Sequence, residues 1–305
     1  MRTSLGRRDR CKILRVQFPV DLQKVVESYR SYLFYHEKLN PKQRSATRFD
    51  ERLKASPESA RAEAVAFDFL RSRNLEPRVL EDASFGGCDF ECSFGNRRFA
   101  VEVTALTAEK MSEASGIDDE FEFGYVEMPG ILASIRSRLS SKSSSWQSRK
   151  YTGPRVLFIA TQHMATNVLF MGGIAEFLTG SSKIVVPISR TGGPAGESYM
   201  ATDFENAAHL TKDKSGEVAL FRRTYAIVLF AGIDPDKAYI MGMLHPEPDH
   251  QLSYEIFSEI PFARIQWPIQ AKTVQVEWVI AQPRPHQSYY FPIELTEAEV
   301  REGVK

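Results

Sequence analysis

Apolar and polar residues alternate along residues 88–105, and this period of two predicts a pair of β-strands joined at Gly95-Asn96. A glycine at the first central position of a two-residue loop favours a type II′ hairpin turn. In the resulting register Asp89 lies opposite Glu102. The apolar face, which we expect to join the core, carries Phe90, Cys92, Phe94, Phe99, Val101 and Val103. The other face carries Asp89, Glu91, Ala100, Glu102 and Thr104.

The rest of the pattern predicts an α/β fold, with a mixed β-sheet flanked by helices on both faces. Apolar residues at helical spacing predict helices over 20–39, 57–73, the first half of 131–150, and 167–178. For the second of these, Ser56 is a candidate N-cap, Pro57 the first helical residue and Asn74 the end. Apolar runs predict strands at 77–81, 155–160, 183–189, 225–231 and 238–243, with a turn at 233–236.

Polar stretches suggest how the chain is divided. The acidic residues 108–125 predict a solvated loop or lid, and the polar residues 190–222, Gly-rich at first, predict an insertion. We expect a basic helical N-terminal arm over 1–54, a main domain over 55–282 and a peripheral C-terminal tail over 283–305.

The charge is unevenly distributed although the formal net charge is zero. Residues 1–54 hold 14 Lys and Arg against 6 Asp and Glu, so they carry +8 and the remainder carries −8. This segment is either a solvated arm or an arm that faces nucleic acid. The second interpretation would use the interleaved aromatic residues Tyr29, Tyr32, Phe34 and Tyr35. A second basic segment without acidic residues contains Arg136, Arg138, Lys142, Arg149 and Lys150.

Several classes of protein are disfavoured by the composition. Three cysteines do not make a disulfide framework, and Cys88 and Cys92 share the apolar face of a strand, which favours core positions over a metal site. No apolar run approaches the ~18 residues of a membrane span, and the basic N-terminus lacks the apolar run of a secretory signal. We therefore expect a cytoplasmic protein that makes no membrane contact.

The acidic residues on the polar face of the hairpin are the main candidates for chemistry. Directly opposed residues have Cβ atoms roughly 4.5–5.5 Å apart, and like charges so placed destabilise a sheet. A hard cation with oxygen ligands, such as Mg²⁺, would relieve the repulsion between Asp89 and Glu102. On the helix that precedes them, Glu63 shares a face with Ala66, Phe67 and Leu70. Glu63 is either exposed at the edge of that face or has a functional role there.

The chain carries four features in order: a helix bearing Glu63, a short strand, Asp89 on a hairpin, and Glu102-Val103-Thr104 on the next strand. This arrangement resembles the PD-(D/E)xK, restriction-endonuclease-like nuclease superfamily. The resemblance covers residues 57–160. It implies a restriction-endonuclease-like core, one or two Mg²⁺ ions, which Mn²⁺ can replace, and hydrolysis of a phosphodiester bond. In that family the residues matching Asp89 and Glu102 bind the metal, and a helical glutamate matching Glu63 often completes the site.

The chain departs from the family pattern at two positions. Cys88 stands where the family often has a proline that is not a ligand. Thr104 stands where the family has a lysine, which positions or activates the attacking water and offsets charge in the transition state. Some members supply the basic group from the following helix, and here Lys142 is the candidate, followed by Gln147 and Lys110. The alternative is that Lys142 is an ordinary surface lysine of a Ser-rich helix.

Three functions remain open from the sequence. The first is a Mg²⁺-dependent endonuclease acting on DNA, more than on RNA, in restriction, defence or repair, with the basic segments facing the phosphate backbone. The second is a catalytically inactive relative that binds nucleic acid or a protein partner, and Thr104 is its main support. The third is an enzyme acting on another phosphate ester or a nucleotide. An amine from a helix near Asp89 and Glu102 would favour an enzyme. Homodimer formation is expected only by analogy with the fold class.

Overall fold

The computed structural model describes residues 16–39, 41–42, 44–80, 88–116, 128–147, 151–163, 173–189, 191–192, 196–204, 207–221, 224–269, 273–281 and 298–299. The α-helices in these ranges are α1 (Leu22–Leu39), α2 (Ser45–Ala55), α3 (Pro57–Ser72), α4 (Ala108–Ser115), α5 (Met128–Gln147) and α6 (Ile174–Thr179). The strands in these ranges are β1 (Val16–Pro19), β2 (Arg78–Val79), β3 (Phe90–Phe94), β4 (Arg97–Leu106), β5 (Arg155–Thr161), β6 (Ser181–Val185), β7 (Tyr199–Asp203), β8 (Leu210–Lys212), β9 (Val218–Leu220), β10 (Ile227–Ile233), β11 (Lys237–Leu244), β12 (Phe262–Ile265), β13 (Thr273–Val274), β14 (Val276–Val279) and β15 (Ala298–Glu299).

One mixed sheet organises the described part of the chain, and nine of the described strands belong to it. Its order is β14-β12-β11-β10-β5-β4-β3-β2, and β1 pairs with β11. The strands β4, β5 and β10 run parallel, whereas β3 is antiparallel to β4. The predicted α/β class with a mixed sheet is therefore confirmed.

Helices cover both faces of this sheet. On one face α1, α2 and α3 pack against alternate residues of the central strands, such as Val156 and Phe158 of β5. On the other face α5 and α6 pack against the intervening residues, such as Leu157 and Ile159. Strands buried on both faces read as continuous apolar runs, which is why β5 and β10 were visible in the sequence. None of the helices in the described ranges is long and apolar enough to cross a membrane.

The predicted hairpin is confirmed in its register. Phe90 pairs with Val101, and Cys92 pairs with Phe99. Gly95 has a φ of 57°, the positive value that the first central position of a type II′ turn requires. Phe94 is a correction, because its side chain is 49% exposed and does not join the core. It is the last residue of β3 before the turn, so the helix layer does not cover it.

The predictions for the longer helices also hold within small shifts of their ends. The helix predicted over 57–73 is α3, and Asn74 after it has a positive φ of 57°. The helix predicted over 20–39 is α1, and the helix predicted over the first half of 131–150 is α5, which continues to Gln147. Only the end of the helix predicted over 167–178 is described, as α6, because 164–172 lie outside the described residues.

Two polar segments were predicted as loops and contain regular structure. Residues 108–115 form α4, whereas the rest of the predicted acidic lid, 117–125, lies outside the described residues. The segment 190–222 contains β7, β8 and β9, which pair in two-stranded ribbons. Short ribbons carry too few residues for their apolar alternation to stand out from a polar background. The strands β1, β12 and β14 at the far side of the sheet were also missed.

The segment predicted as a basic arm packs closely on the main domain in its described part. Tyr29 and Leu33 of α1 and Phe49 of α2 are buried in the same apolar cluster as α3. Phe34 and Tyr35, on the other side of α1, are exposed. The predicted tail lies outside the described residues apart from β15, which pairs with β13.

Candidate active site

The site lies where β4 continues beyond its hairpin partner. Pairing between β3 and β4 begins at Phe90 and Val101, so residues 102–106 of β4 extend past β3. Asp89 directly precedes β3, and its Oδ2 accepts a hydrogen bond of 2.6 Å from the main-chain N–H of Val103. The Asp89 side chain therefore occupies the edge of β4 at the point where main-chain pairing with β3 ends. The hairpin register holds it next to Glu102.

Glu102 is buried and meets a lysine from a distant helix. Its side chain is 3% exposed, and its Oε1 lies 2.6 Å from Nζ of Lys142 on α5. Ala100, two residues earlier on β4, packs in the cluster formed with α5, so Glu102 lies on the face that this helix covers. Thr104, where the family has its lysine, is buried. The amine beside the carboxylate thus comes from α5 and not from β4.

Glu63 of α3 is held by two side chains from the preceding helices. Its Oε1 accepts a hydrogen bond of 2.5 Å from the hydroxyl of Tyr29 on α1. Arg52 on α2 donates from Nη2 to the same oxygen at 3.0 Å and lies 2.8 Å from Oε2. A carboxylate on an apolar helix face is costly to bury unless it is paired, and these two residues supply the pairing.

The three carboxylates act on one another electrostatically. The pKa of Asp89 is raised well above its usual range by burial and then by the negative charges of Glu63 and Glu102. The Val103 N–H and the Lys142 ammonium oppose this shift. Glu63, on α3, and Glu102, on β4, therefore both act on Asp89.

Tyr29 remains a neutral hydrogen-bond donor within this arrangement. Burial raises the pKa of Tyr29 well above its usual value, and the charge of Glu63 raises it further. A phenol that does not ionise keeps its proton directed at the Glu63 oxygen.

A hard divalent cation fits the donors at Asp89 and Glu102. Mutually repelling carboxylate oxygens are the ligands that Mg²⁺ prefers, and Mg²⁺ keeps several waters while using one or two carboxylates. Glu63 fits this role less well as a direct ligand, because both its oxygens already engage Arg52. Among the described residues, no group of three or more His, Cys, Asp or Glu side chains is arranged to hold a metal ion. A metal site at Asp89, Glu102 and Glu63 therefore stays a prediction.

The other candidates from the sequence differ in their surroundings. Lys110 is exposed on α4, and Gln147 is the last residue of α5. Cys88 and Cys92 are buried free thiols, and burial raises the pKa of Cys88 to about 12, which fits unreactive core residues. Sequence reasoning missed Tyr29 and Arg52 as site residues. The available signal was that a Glu63 side chain placed among apolar neighbours needs a buried partner.

Comparisons of this chain with protein-family models, with curated proteins and with solved structures find no match. Any assignment of function therefore rests on the geometry of the site.

Proposed function

We propose that this protein is a Mg²⁺-dependent nuclease that hydrolyses phosphodiester bonds, with DNA as its substrate. The observation that carries the proposal is the position of Lys142 at Glu102, beside Asp89. The family resemblance implies two acidic residues and an amine. Asp89 and Glu102 are the acidic residues, and Lys142 supplies the amine that the family's lysine would supply at position 104.

Each residue of the site has a separate role in the proposed hydrolysis. Asp89 and Glu102 would hold Mg²⁺, which when bound lowers the pKa of a coordinated water and offsets charge on the phosphate. Lys142 is 29% exposed, so its ammonium touches both the buried carboxylate and the open side of the site. From there it donates hydrogen bonds to the attacking water or to a phosphate oxygen, and its charge stabilises the transition state. The Val103 N–H fixes the Asp89 carboxylate in one orientation.

The distribution of charge supports a polyanionic substrate. The net charge of +8 over residues 1–54 would offset phosphate charge along a bound strand. On α5, Arg138 is partly exposed one turn before Lys142, and acidic residues are absent from residues 131–150. Binding that depends on such contacts weakens steeply with added salt.

A cleavage assay with matched variants tests the proposal. We would incubate the protein with linear and circular DNA, single- and double-stranded, with Mg²⁺, Mn²⁺ or chelator. Metal-dependent cleavage by the wild type that is lost in Glu102→Ala and kept in Glu91→Gln is the expected result. Glu91 lies on the same hairpin, two residues from Asp89, and pairs loosely with Arg98 at 3.8 Å. Equal activity of the wild type and Glu102→Ala would refute the assignment.

A catalytically inactive relative that binds nucleic acid is the second candidate. It is favoured by the absence, within the described ranges, of a group of three or more metal-binding side chains. Tight DNA binding without cleavage in any metal, unchanged by Glu102→Ala, would select this alternative.

A further inference from the structure

The helices before α3 reach the proposed active site through Glu63. Tyr29 lies on α1, Arg52 lies on α2, and both contact the Glu63 carboxylate directly. Glu63 is 34 residues from Tyr29 and 11 residues from Arg52, so three separate helices must pack correctly to form this contact. The sequence left this region open between a solvated arm and an arm that faces nucleic acid, and it placed none of its residues in the metal site.

The Tyr29 ring is fixed independently of its hydroxyl. Its centroid lies 4.8 Å from that of Phe67, 5.1 Å from Phe49 and 6.0 Å from Phe90. The ring is completely buried, so the hydroxyl has little freedom to leave Glu63. Phe90 directly follows Asp89, and the same aromatic cluster therefore connects the tyrosine to the strand that carries the metal-binding aspartate.

Arg52 places a positive charge against the Glu63 carboxylate and also restrains the orientation of that carboxylate. Its Nη2 contacts both oxygens of Glu63, at 3.0 and 2.8 Å, and a charged donor placed between the two oxygens restrains the rotation of the carboxylate. The Tyr29 ring, whose hydroxyl holds Glu63, packs 6.0 Å from the ring of Phe90, the residue after Asp89, and the negative charge of Glu63 contributes to the raised pKa of Asp89. Because the Glu63 carboxylate is held in one orientation, its negative charge stays at one position beside the metal site.

We propose that Tyr29 and Arg52 are positioning residues, which hold the Glu63 carboxylate beside Asp89 so that helices α1 and α2 form part of the active site. This inference rests on the proposed function, because it assigns the two residues a role at the same metal site. Neither residue touches substrate in this scheme. Both act through Glu63, whose fixed charge favours a divalent cation at Asp89 and Glu102.

The test compares Tyr29→Phe with Tyr32→Phe. Tyr32 lies one turn along α1, stacks on the same Phe67 at 4.6 Å, and its hydroxyl contacts the carbonyl of Pro77 instead of Glu63. Both changes remove one hydroxyl and keep a packed ring. Titration calorimetry with Mg²⁺ alone is the first measurement, and kcat against KM for cleavage is the second. We expect Tyr29→Phe to weaken Mg²⁺ binding about tenfold and to lower kcat with little change in KM. Tyr32→Phe should match the wild type.

A double-mutant cycle then shows whether Tyr29 acts through Glu63. In a Glu63→Gln background, Tyr29→Phe should have no further effect on Mg²⁺ affinity or kcat. Additive effects would refute the proposed route, and so would wild-type Mg²⁺ affinity and kcat in Tyr29→Phe. In either case the nuclease proposal would stand as long as Glu102→Ala abolishes Mg²⁺ binding and cleavage. A wild-type protein that binds no Mg²⁺ would overturn both proposals.

Arg52→Lys provides the corresponding test of the contact between Arg52 and Glu63. It keeps the positive charge but replaces the planar guanidinium with a flexible ammonium, whereas Arg52→Ala would leave Glu63 buried without its charged partner and risk unfolding the protein. The control is Arg30→Lys, since Arg30 on α1 makes a two-point contact with Asp50 on α2, at 2.7 Å for each bond, and this pair is far more exposed to solvent. Weaker Mg²⁺ binding in Arg52→Lys alone is expected, and equal affinity in the two variants would refute a role for Arg52.

Discussion

The ammonium nitrogen of Lys142 lies 2.6 Å from Oε1 of Glu102, although the two residues are 40 positions apart in the chain. Glu102 is almost completely buried, and its ionised carboxylate requires a positive partner there. In the absence of a divalent cation, Lys142 provides that partner. It also occupies an oxygen that we assign to Mg²⁺, so the lysine and the metal ion compete for Glu102.

This competition predicts opposite changes in metal affinity and activity when Lys142 is replaced. In Lys142→Met the side chain keeps a similar length and loses its charge. Removing a cation from the site should tighten Mg²⁺ binding about tenfold, because one repulsive charge is lost at close range. Cleavage should fall about a hundredfold, because no group replaces the amine in the transition state.

Calorimetry and single-turnover cleavage measure the two quantities on the same protein sample. Arg138→Met is the control, since Arg138 lies on the same helix one turn away and is partly exposed. It should weaken DNA binding slightly and leave Mg²⁺ affinity unchanged. Weaker Mg²⁺ binding in Lys142→Met would show that Lys142 supports the metal site and does not compete with the metal.

The position of Thr104 predicts that a lysine on β4 can replace the one on α5. Thr104 is two residues after Glu102, so both side chains lie on the same face of the strand. In Lys142→Ala/Thr104→Lys we expect about tenfold of the lost cleavage rate to return. The single variant Lys142→Ala is the reference, and Lys142→Ala/Thr104→Ala is the control. No recovery in a double variant that unfolds at the wild-type temperature would contradict the idea that the two positions are interchangeable.

The raised pKa of Asp89 predicts that this residue destabilises the metal-free protein as the pH rises. A carboxyl whose folded pKa lies above its unfolded pKa makes the folded state bind more protons, so stability falls with pH between the two values. Asp89→Asn removes the titrating group and its oxygen can still accept the Val103 N–H. With chelator present, Asp89→Asn should be more stable than the wild type by about 1–3 kcal/mol at pH 8, and the difference should shrink towards pH 4.

Urea unfolding across this pH range measures the difference, with Glu91→Gln from the same hairpin as the control. Asp89→Asn should also lose Mg²⁺ binding, a combination of gained stability and lost function that is common at functional sites. A stability difference independent of pH would mean that the Asp89 charge is not strained in the folded state.

A pair of buried histidines, separate from the carboxylates of the site, predicts that the free energy of unfolding falls in acid. The rings of His209 and His245 lie 4.5 Å apart, and within the described residues neither ring nitrogen of His209 has a hydrogen-bond partner. Burial and then His245 lower the pKa of His209 well below its usual value. The unfolded chain therefore binds a proton that the folded chain excludes, and stability falls as the pH drops below about 6.5.

Replacing His209 should remove that loss of stability. Between pH 7.5 and pH 5, His209→Phe should lose about 2 kcal/mol less unfolding free energy than the wild type. His250→Phe, at an exposed position, is the control and should behave as the wild type does. Parallel pH profiles for the wild type and His209→Phe would show that His209 accepts a proton without unfolding.

Sequence alone determined the features that depend on local periodicity. The hairpin around Gly95-Asn96 and its register from Phe90–Val101 to the turn follow from a period of two and a two-residue turn, and the buried run of β5 follows from continuous apolar residues. The helix α3, with Pro57 at its start, is likewise a local property. These signals require no knowledge of which elements meet in space.

Only the tertiary structure decided which distant side chains complete the site. Lys142 was one of several basic candidates, and the packing of α5 on β4 selected it. Tyr29 and Arg52 reach Glu63 because α1 and α2 pack on α3, and no spacing in the sequence expresses that contact. Phe94 followed the apolar alternation of its strand but is exposed, because burial depends on whether another element covers the position. Periodicity fixes the face on which a residue lies, whereas the packing of helices and strands fixes what it touches.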